Sequence, residues 1–153
     1  MRVTTYNTKL NEDRLNILVK EKTVNYQTNN ISNPQSVFEM MNTLFDMGNL
    51  AEEYMYMIAL NTKGKVIGVF EISHGTINAS LINPREIFIR ALLCGAAGII
   101  IAHNHPSGDT SPSAEDKHAT KRIKDAGDLM GIKLLDHVII GDNYFSFKEN
   151  DLL

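Results

Sequence analysis

Apolar residues recur at helical spacing after residue 33. Val37, Met40, Met41 and Leu44 form one stripe, Ser32 or Asn33 can cap the helix, Pro34 suits its first turn, and Gly48 and Asn49 end it. The period then changes. Tyr54 to Leu60 is apolar at nearly every position and short, which predicts a strand buried on both faces. Asn61 to Gly64 reads as a hairpin turn and Val66 to Ile72 as the return strand. Asn83-Pro84-Arg85-Glu86 starts a second helix, with asparagine as cap and Glu86 placed to reach back to it. Ile87, Ala91 and Cys94 line one face of that helix and Gly95 ends it. Gly98 to Ala102 has the pattern of a central strand, followed by a polar loop from Asn104 to Pro112. A third helix is predicted from about Ser113 to Met130, then a strand at Ile132–Ile140, a turn at Gly141–Asn143 and a last strand at Tyr144–Phe147. Hairpins mixed with helices predict a mixed sheet with helices packed against it.

The first 33 residues are polar and rich in asparagine. Leu15 to Tyr26 fits one strand with a wet face, and Thr28 to Asn33 a loop. Residues 1–33 are therefore expected to be an extension packed on a domain formed by residues 34–153.

Composition narrows the class. Of the 153 residues 43% are apolar and 22% charged, enough to bury a core without disulfides. One cysteine, Cys94, allows no intrachain disulfide and no cysteine-only zinc site, and fits a reducing, cytoplasmic setting. Closing an apolar helix, Cys94 reads as a packed residue rather than a nucleophile. The apolar runs are far shorter than the ~20 residues of a membrane span, and the N-terminus lacks the apolar stretch of a signal peptide. A net charge of −3 gives no concentrated basic field for autonomous nucleic-acid binding. His118 with Lys117, Lys121, Arg122 and Lys124 reads as a solvated helix face.

Chemistry concentrates between His103 and Asp116. Two histidines at i and i+2 close a buried strand, so both imidazoles point to the same side. Asp116 stands eleven residues after His105, in the first turn of a helix, and the loop between is long enough to return its carboxylate to the imidazoles. Two neutral imidazoles and one carboxylate are a usual ligand set for catalytic zinc, which lowers the pKa of water to around 7. Ser113-x-x-Asp116 is equally a helix capping box, and spacing leaves both readings open. Other signatures fail: there is no His-Glu-x-x-His, no paired cysteines as in cytidine deaminases, and no phosphate-binding glycine loop.

His103-x-His105, seven residues, Ser113, two residues, Asp116 matches the JAMM (JAB/MPN) zinc metalloprotease motif. Leu60, His74-Gly-Thr-Ile-Asn78, Asn83-Pro-Arg-Glu86, His103-Asn-His-Pro-Ser-Gly108, Pro112-Ser113, Glu115-Asp116 and Leu135-Asp-His-Val-Ile-Ile-Gly141 resemble the RadC-like JAB domain over residues 34 to 150. The resemblance implies a cytidine-deaminase-like α/β/α sandwich with a mixed sheet. It implies one zinc per chain on His103, His105 and Asp116, and an upstream glutamate as general base. Glu53 fits that slot best, seven residues before Leu60, with Glu52 the alternative. Glu71 and Glu86 follow, Glu86 having a sufficient capping role. Ser113 would polarise the attacked carbonyl or stabilise the oxyanion. Pro106-Ser107-Gly108 would turn the chain away after the second ligand, which is also ordinary turn chemistry. Asp136 and His137 either orient a ligand or form a hydrogen-bonded core pair, and His74 carries the same two readings.

The resemblance implies a zinc-dependent peptidase or isopeptidase acting on an amide bond, with no membrane partner. RadC-like proteins also carry a DNA-repair label, and longer members resemble this chain preceded by a helix-hairpin-helix region, for which the N-terminal residues leave no room. Nucleic-acid binding is therefore not expected without another domain. A DNA-associated module, a metal-dependent nuclease and a catalytically silent scaffold are the alternatives, the last opposed by the presence of all five motif positions.

Overall fold

Among the described residues, polar side chains start three α-helices, and the strands form one sheet. The structure, a computed structural model, describes residues 1–27, 31–75 and 83–153. Helix α1 (Pro34–Phe45) begins with a full capping box: Asn33 accepts from the Ser36 N–H at 2.8 Å, and Ser36 Oγ accepts from the Asn33 N–H at 3.2 Å. It ends earlier than expected. Asp46 adopts a left-handed conformation (φ 53°) and its N–H closes on Asn42, so Met47–Asn49 forms a separate 3₁₀ turn that buries Met47. Helix α2 (Pro84–Leu93) is capped by Asn83. Glu86 does not reach back to that cap, because Arg85 and Arg90 hold its carboxylate at 2.9 and 3.4 Å. Cys94 caps the C-terminal end half-buried, its Sγ donating to Ala91 O. Helix α3 (Ala114–Met130) has Ser113 as N-cap and left-handed Gly131 as its stop.

Among the described residues seven strands make the sheet: β1 (Arg2–Leu10), β2 (Asn16–Asn25), β3 (Glu53–Leu60), β4 (Val66–Gly75), β5 (Gly98–Asn104), β6 (Lys133–Ile140) and β7 (Tyr144–Ser146). Their order is β2-β1-β4-β3-β5-β6-β7. Strands β1/β4 and β5/β6 are parallel and the remaining pairs antiparallel, giving the mixed sheet that the sequence suggested. Alternation along the central strands fills two cores. Met55, Met57, Ile99 and Ile101 pack under α2 and α3 with Ile87, Phe88, Ala119 and Ile123. Tyr56, Ile58, Ile100 and Val138 pack under α1 with Val37, Met40 and Met41. The sheet thus lies between helices on both faces, the α/β/α sandwich with a mixed sheet that the resemblance implied.

Two further details depart from the sequence reading. The N-terminal residues supply two strands, not one, and β1 joins β4 through Thr5–Val69 and Tyr6–Phe70, so the hairpin continues the sheet. Arg2–Leu10 has no sustained apolar face, which is why periodicity passed over it. Strand β5 also runs to Asn104, which was expected to open the loop, and carries it inside the ladder. The expected loop at residues 28–33 and the His74–Asn78 stretch fall partly outside the described residues. Among the described residues no helix is long and apolar enough to cross a membrane.

Candidate metal centre

The C-terminal end of β5 sets the site. Met55 of β3 pairs with His103, and Ile139 and Ile140 of β6 pair with His103 and Asn104. His105 continues that line, its N–H donating to Ile140 O at 2.8 Å. The strand period therefore sends His103 and His105 to the α2/α3 side and Asn104 to the other. After His105 the chain turns through Pro106-Ser107-Gly108. Gly108 has φ 82°, and its carbonyl accepts from the Asp142 N–H at 3.0 Å. A Cβ on Gly141 would sit 2.3 Å from that same carbonyl, so glycine there permits the close approach that pins the loop to the β6–β7 turn. Thr110 Oγ1 adds a bond to Asn143 at 2.8 Å. The loop thus returns to Ser113 and α3 in a fixed position.

Asp116 lies at the third residue of α3. Its Oδ2 accepts from the Ser113 N–H at 2.8 Å and from Ser113 Oγ–H at 2.7 Å, while Ser113 Oγ accepts from the Asp116 N–H at 3.0 Å. The capping box is complete, and the same carboxylate faces the imidazoles. His103 Nε2 is 3.2 Å from Asp116 Oδ1, His105 Nε2 is 3.5 Å from Oδ2, and the two Nε2 atoms are 3.1 Å apart. Capping and ligation, alternatives at the level of spacing, coexist in one side chain. Three donor atoms within 4.8 Å of one another form a candidate metal site. A tetrahedral zinc with bonds of about 2.0–2.1 Å separates its ligand atoms by about 3.3 Å, and the two imidazole nitrogens lie near that distance from each other and each from one of the two Asp116 oxygens.

Electrostatics follow the geometry. Burial alone would push the Asp116 carboxyl up, but the close approach of His103 and His105 and the bond from Ser113 outweigh it and hold the group well below the ordinary carboxylate range. The hydrogen bond to Asp116 raises His105 above its usual value against the opposing effect of partial burial, with the Asp109 carbonyl and the Glu53 charge adding to the rise. His105 Nδ1 lies 2.7 Å from Asp109 O, leaving Nε2 toward the site.

Glu53 opens β3 and is half-buried, whereas Glu52 is exposed. Because Met55 pairs with His103, the same antiparallel register brings Glu53 level with His105 on the ligand side of the sheet. Asn104, which sequence reading did not single out, holds this corner from the opposite face. Its Oδ1 accepts from the Tyr54 N–H at 2.7 Å and its Nδ2 donates to Glu52 O at 3.0 Å, gripping the backbone on both sides of Glu53. The only sequence signal for it was a polar residue between two histidines at a strand end.

The other candidates separate. Glu71 lies on the face of Tyr56, whose hydroxyl is 3.5 Å away, and pairs with His74 at 2.8 Å; neither joins the three converging residues. His74 stacks on Tyr54 and is exposed. Glu86 is taken by its two arginines. Lys121 pairs with Asp125 on the exposed face of α3. Asp136 and His137 part company. His137 is fully buried, 2.7 Å from His103 Nδ1 and 2.6 Å from Thr120 Oγ1. Burial and the neighbouring His103 hold it well below the usual histidine range. Asp136 points under α1, where it bonds Ser146 and the backbone of Lys148 and His137.

Comparison with known proteins finds similarity over most of the chain. The family described as the RadC-like JAB domain matches residues 31–152. A UPF0758 protein of Clostridium perfringens is 51% identical over 124 residues, covering 80% of this chain and 54% of that protein. Similar proteins, also named UPF0758, from Clostridium tetani and Alkaliphilus metalliredigens are 48% and 47% identical, covering 81% and 80% of this chain and 54% and 53% of their own lengths. The chain spans about half the length of the curated relatives it matches.

Proposed function

Since this chain belongs to the RadC-like JAB domain family, we propose that it is a metal-dependent hydrolase that uses water to cleave an amide bond of a peptide or isopeptide, with zinc as the metal. One observation carries the reading: two imidazole nitrogens and a carboxylate converge from β5 and α3, with a half-buried glutamate brought level with them by β3.

In this reading His103, His105 and Asp116 hold the metal. Zinc, when bound, supplies a Lewis acid that activates water at neutral pH. Glu53 takes a proton from the water and later gives it to the leaving amine, as a carboxylate within reach of both can do. Asn104 keeps that carboxylate in place by gripping the flanking backbone. Ser113 assists at the developing oxyanion. Its hydroxyl proton rests on Asp116 Oδ2 and its oxygen on the Asp116 N–H, so this role requires the proton to swing from Oδ2 to the substrate while the cap stays closed.

The test is metal analysis of protein purified without chelator, followed by hydrolysis assays on amide and phosphodiester substrates. About one zinc per chain with amide cleavage is the expected result. Phosphodiester cleavage alone would replace the substrate class, and a chain that takes up no zinc would overturn the reading.

A further inference from the structure

A buried line of hydrogen bonds runs behind the ligands, and each donor in it is fixed by the next. Thr120 Oγ1 lies 2.6 Å from the carbonyl oxygen of Asp116. A carbonyl only accepts, so the single hydroxyl proton of Thr120 points there. His137 Nδ1, 2.6 Å from the same Oγ1, must then donate to it. His137 has no exposed surface and no carboxylate partner, so it carries one proton, and its Nε2 presents a lone pair. The group facing that lone pair at 2.7 Å is His103 Nδ1, which must be the donor. A proton is thereby held on the nitrogen that faces away from Asp116 Oδ1 and His105 Nε2, which leaves Nε2 as the atom that can ligate.

We propose that Thr120 and His137 are positioning residues that lock His103 into the tautomer able to ligate a metal through Nε2, by relaying hydrogen bonds from the main chain of Asp116. The inference rests on His103, His105 and Asp116 being metal ligands. The relay closes a ring. Asp116 offers its carboxylate to the site in front and its carbonyl to Thr120 behind, so the α3 ligand also sets the orientation of the β5 ligand. Neither Thr120 nor His137 is one of the three converging residues; each touches one of them from behind, and both are buried with every polar side-chain atom bonded. Partners of this kind tune affinity by fixing ring orientation and ligand basicity.

Thr120→Val keeps shape but removes the hydroxyl. His137 Nδ1–H then loses its acceptor and the ring is free to carry its proton on Nε2, where it opposes His103 Nδ1–H. Zinc affinity, read by competition with a chromophoric chelator on the full chain, is expected to fall roughly 10- to 100-fold in Thr120→Val and to recover in Thr120→Ser. His137→Gln, which still offers an acceptor to His103, should retain affinity that His137→Leu loses. Nitrogen-15 histidine spectra of the unaltered metal-free chain give a readout independent of folding of the variants. They should show His137 protonated on Nδ1, the less common form of a free imidazole. His137 protonated on Nε2, or a folded Thr120→Val chain with unaltered zinc affinity, would overturn the relay. Failure of the unaltered chain to bind zinc would overturn the ligand assignment instead, a result the tautomer measurement keeps separate.

Discussion

Strand β6 presents two neighbouring buried polar residues to opposite sides of the sheet, and their fates differ. Asp136 faces α1. It accepts from Ser146 Oγ–H at 2.7 Å, the Lys148 N–H at 3.0 Å and the His137 N–H at 2.7 Å, tying β7 and the C-terminal turn to the sheet. Burial pushes its acid up, and these bonds pull it part of the way back. His137 faces α3 and contacts a candidate ligand. One residue of strand separates a brace from a member of the site. The same division holds on β5, where His103 and His105 face the chemistry and Asn104, on the other side, grips the start of β3. Pleat parity assigns these roles, since residue type and adjacency are alike on both faces.

That contrast is sharpened by variants on each side, beginning with the largest effect. Replacing both His103 and His105 by alanine should reduce zinc from about one per chain to background while the fold persists, read by metal analysis beside circular dichroism. Full occupancy in the double variant would remove the site from this face. Glu53→Gln should keep zinc and lower amide turnover by roughly 10²- to 10⁴-fold, the usual share of general base catalysis, with exposed Glu52→Gln as the unaffected control. If the two exchanged behaviour, the register of β3 would be off by one and its faces reversed.

Proton competition supplies a graded test. A protonated imidazole cannot ligate, and His105 stands above its ordinary value of 6.5 because of Asp116 first and the Glu53 charge among the lesser causes. Zinc affinity should therefore be full in alkaline solution and decline as pH falls through a midpoint above 6.5. Glu53→Gln should move that midpoint down, since one of the raising charges is gone. Titrations at stepped pH on both chains decide this. The smallest effect belongs to the α1 side. Asp136→Ala leaves three donors without their acceptor and should cost about 1–3 kcal/mol in denaturant unfolding of the metal-free chain, with zinc affinity unchanged. Lost zinc binding in Asp136→Ala would show that the two faces are not independent.

Much of this was legible in the chain. The stripe of Val37, Met40 and Met41, the run from Tyr54 to Leu60 and the caps at Asn33, Asn83 and Ser113 are local signals, and each produced its element. The His-x-His spacing placed two imidazoles on one face because strand period alone requires it. Where local signals were weak the reading fell short. Arg2–Leu10 became a strand through its partners β2 and β4 rather than through its own pattern. Glu86 had the position of a capping residue, but two arginines outcompeted the cap.

The sequence by itself determined the periods, the caps and the ligand types, because these depend on residues a few positions apart. Tertiary structure alone decided that Asp116 both caps α3 and meets two imidazoles, that Asn104 holds the backbone around Glu53, and that His137 rather than Asp136 stands behind His103. Each of those joins residues from different elements. Their meeting depends on sheet order and on the face a register selects, and neither is encoded in the spacing of any one segment.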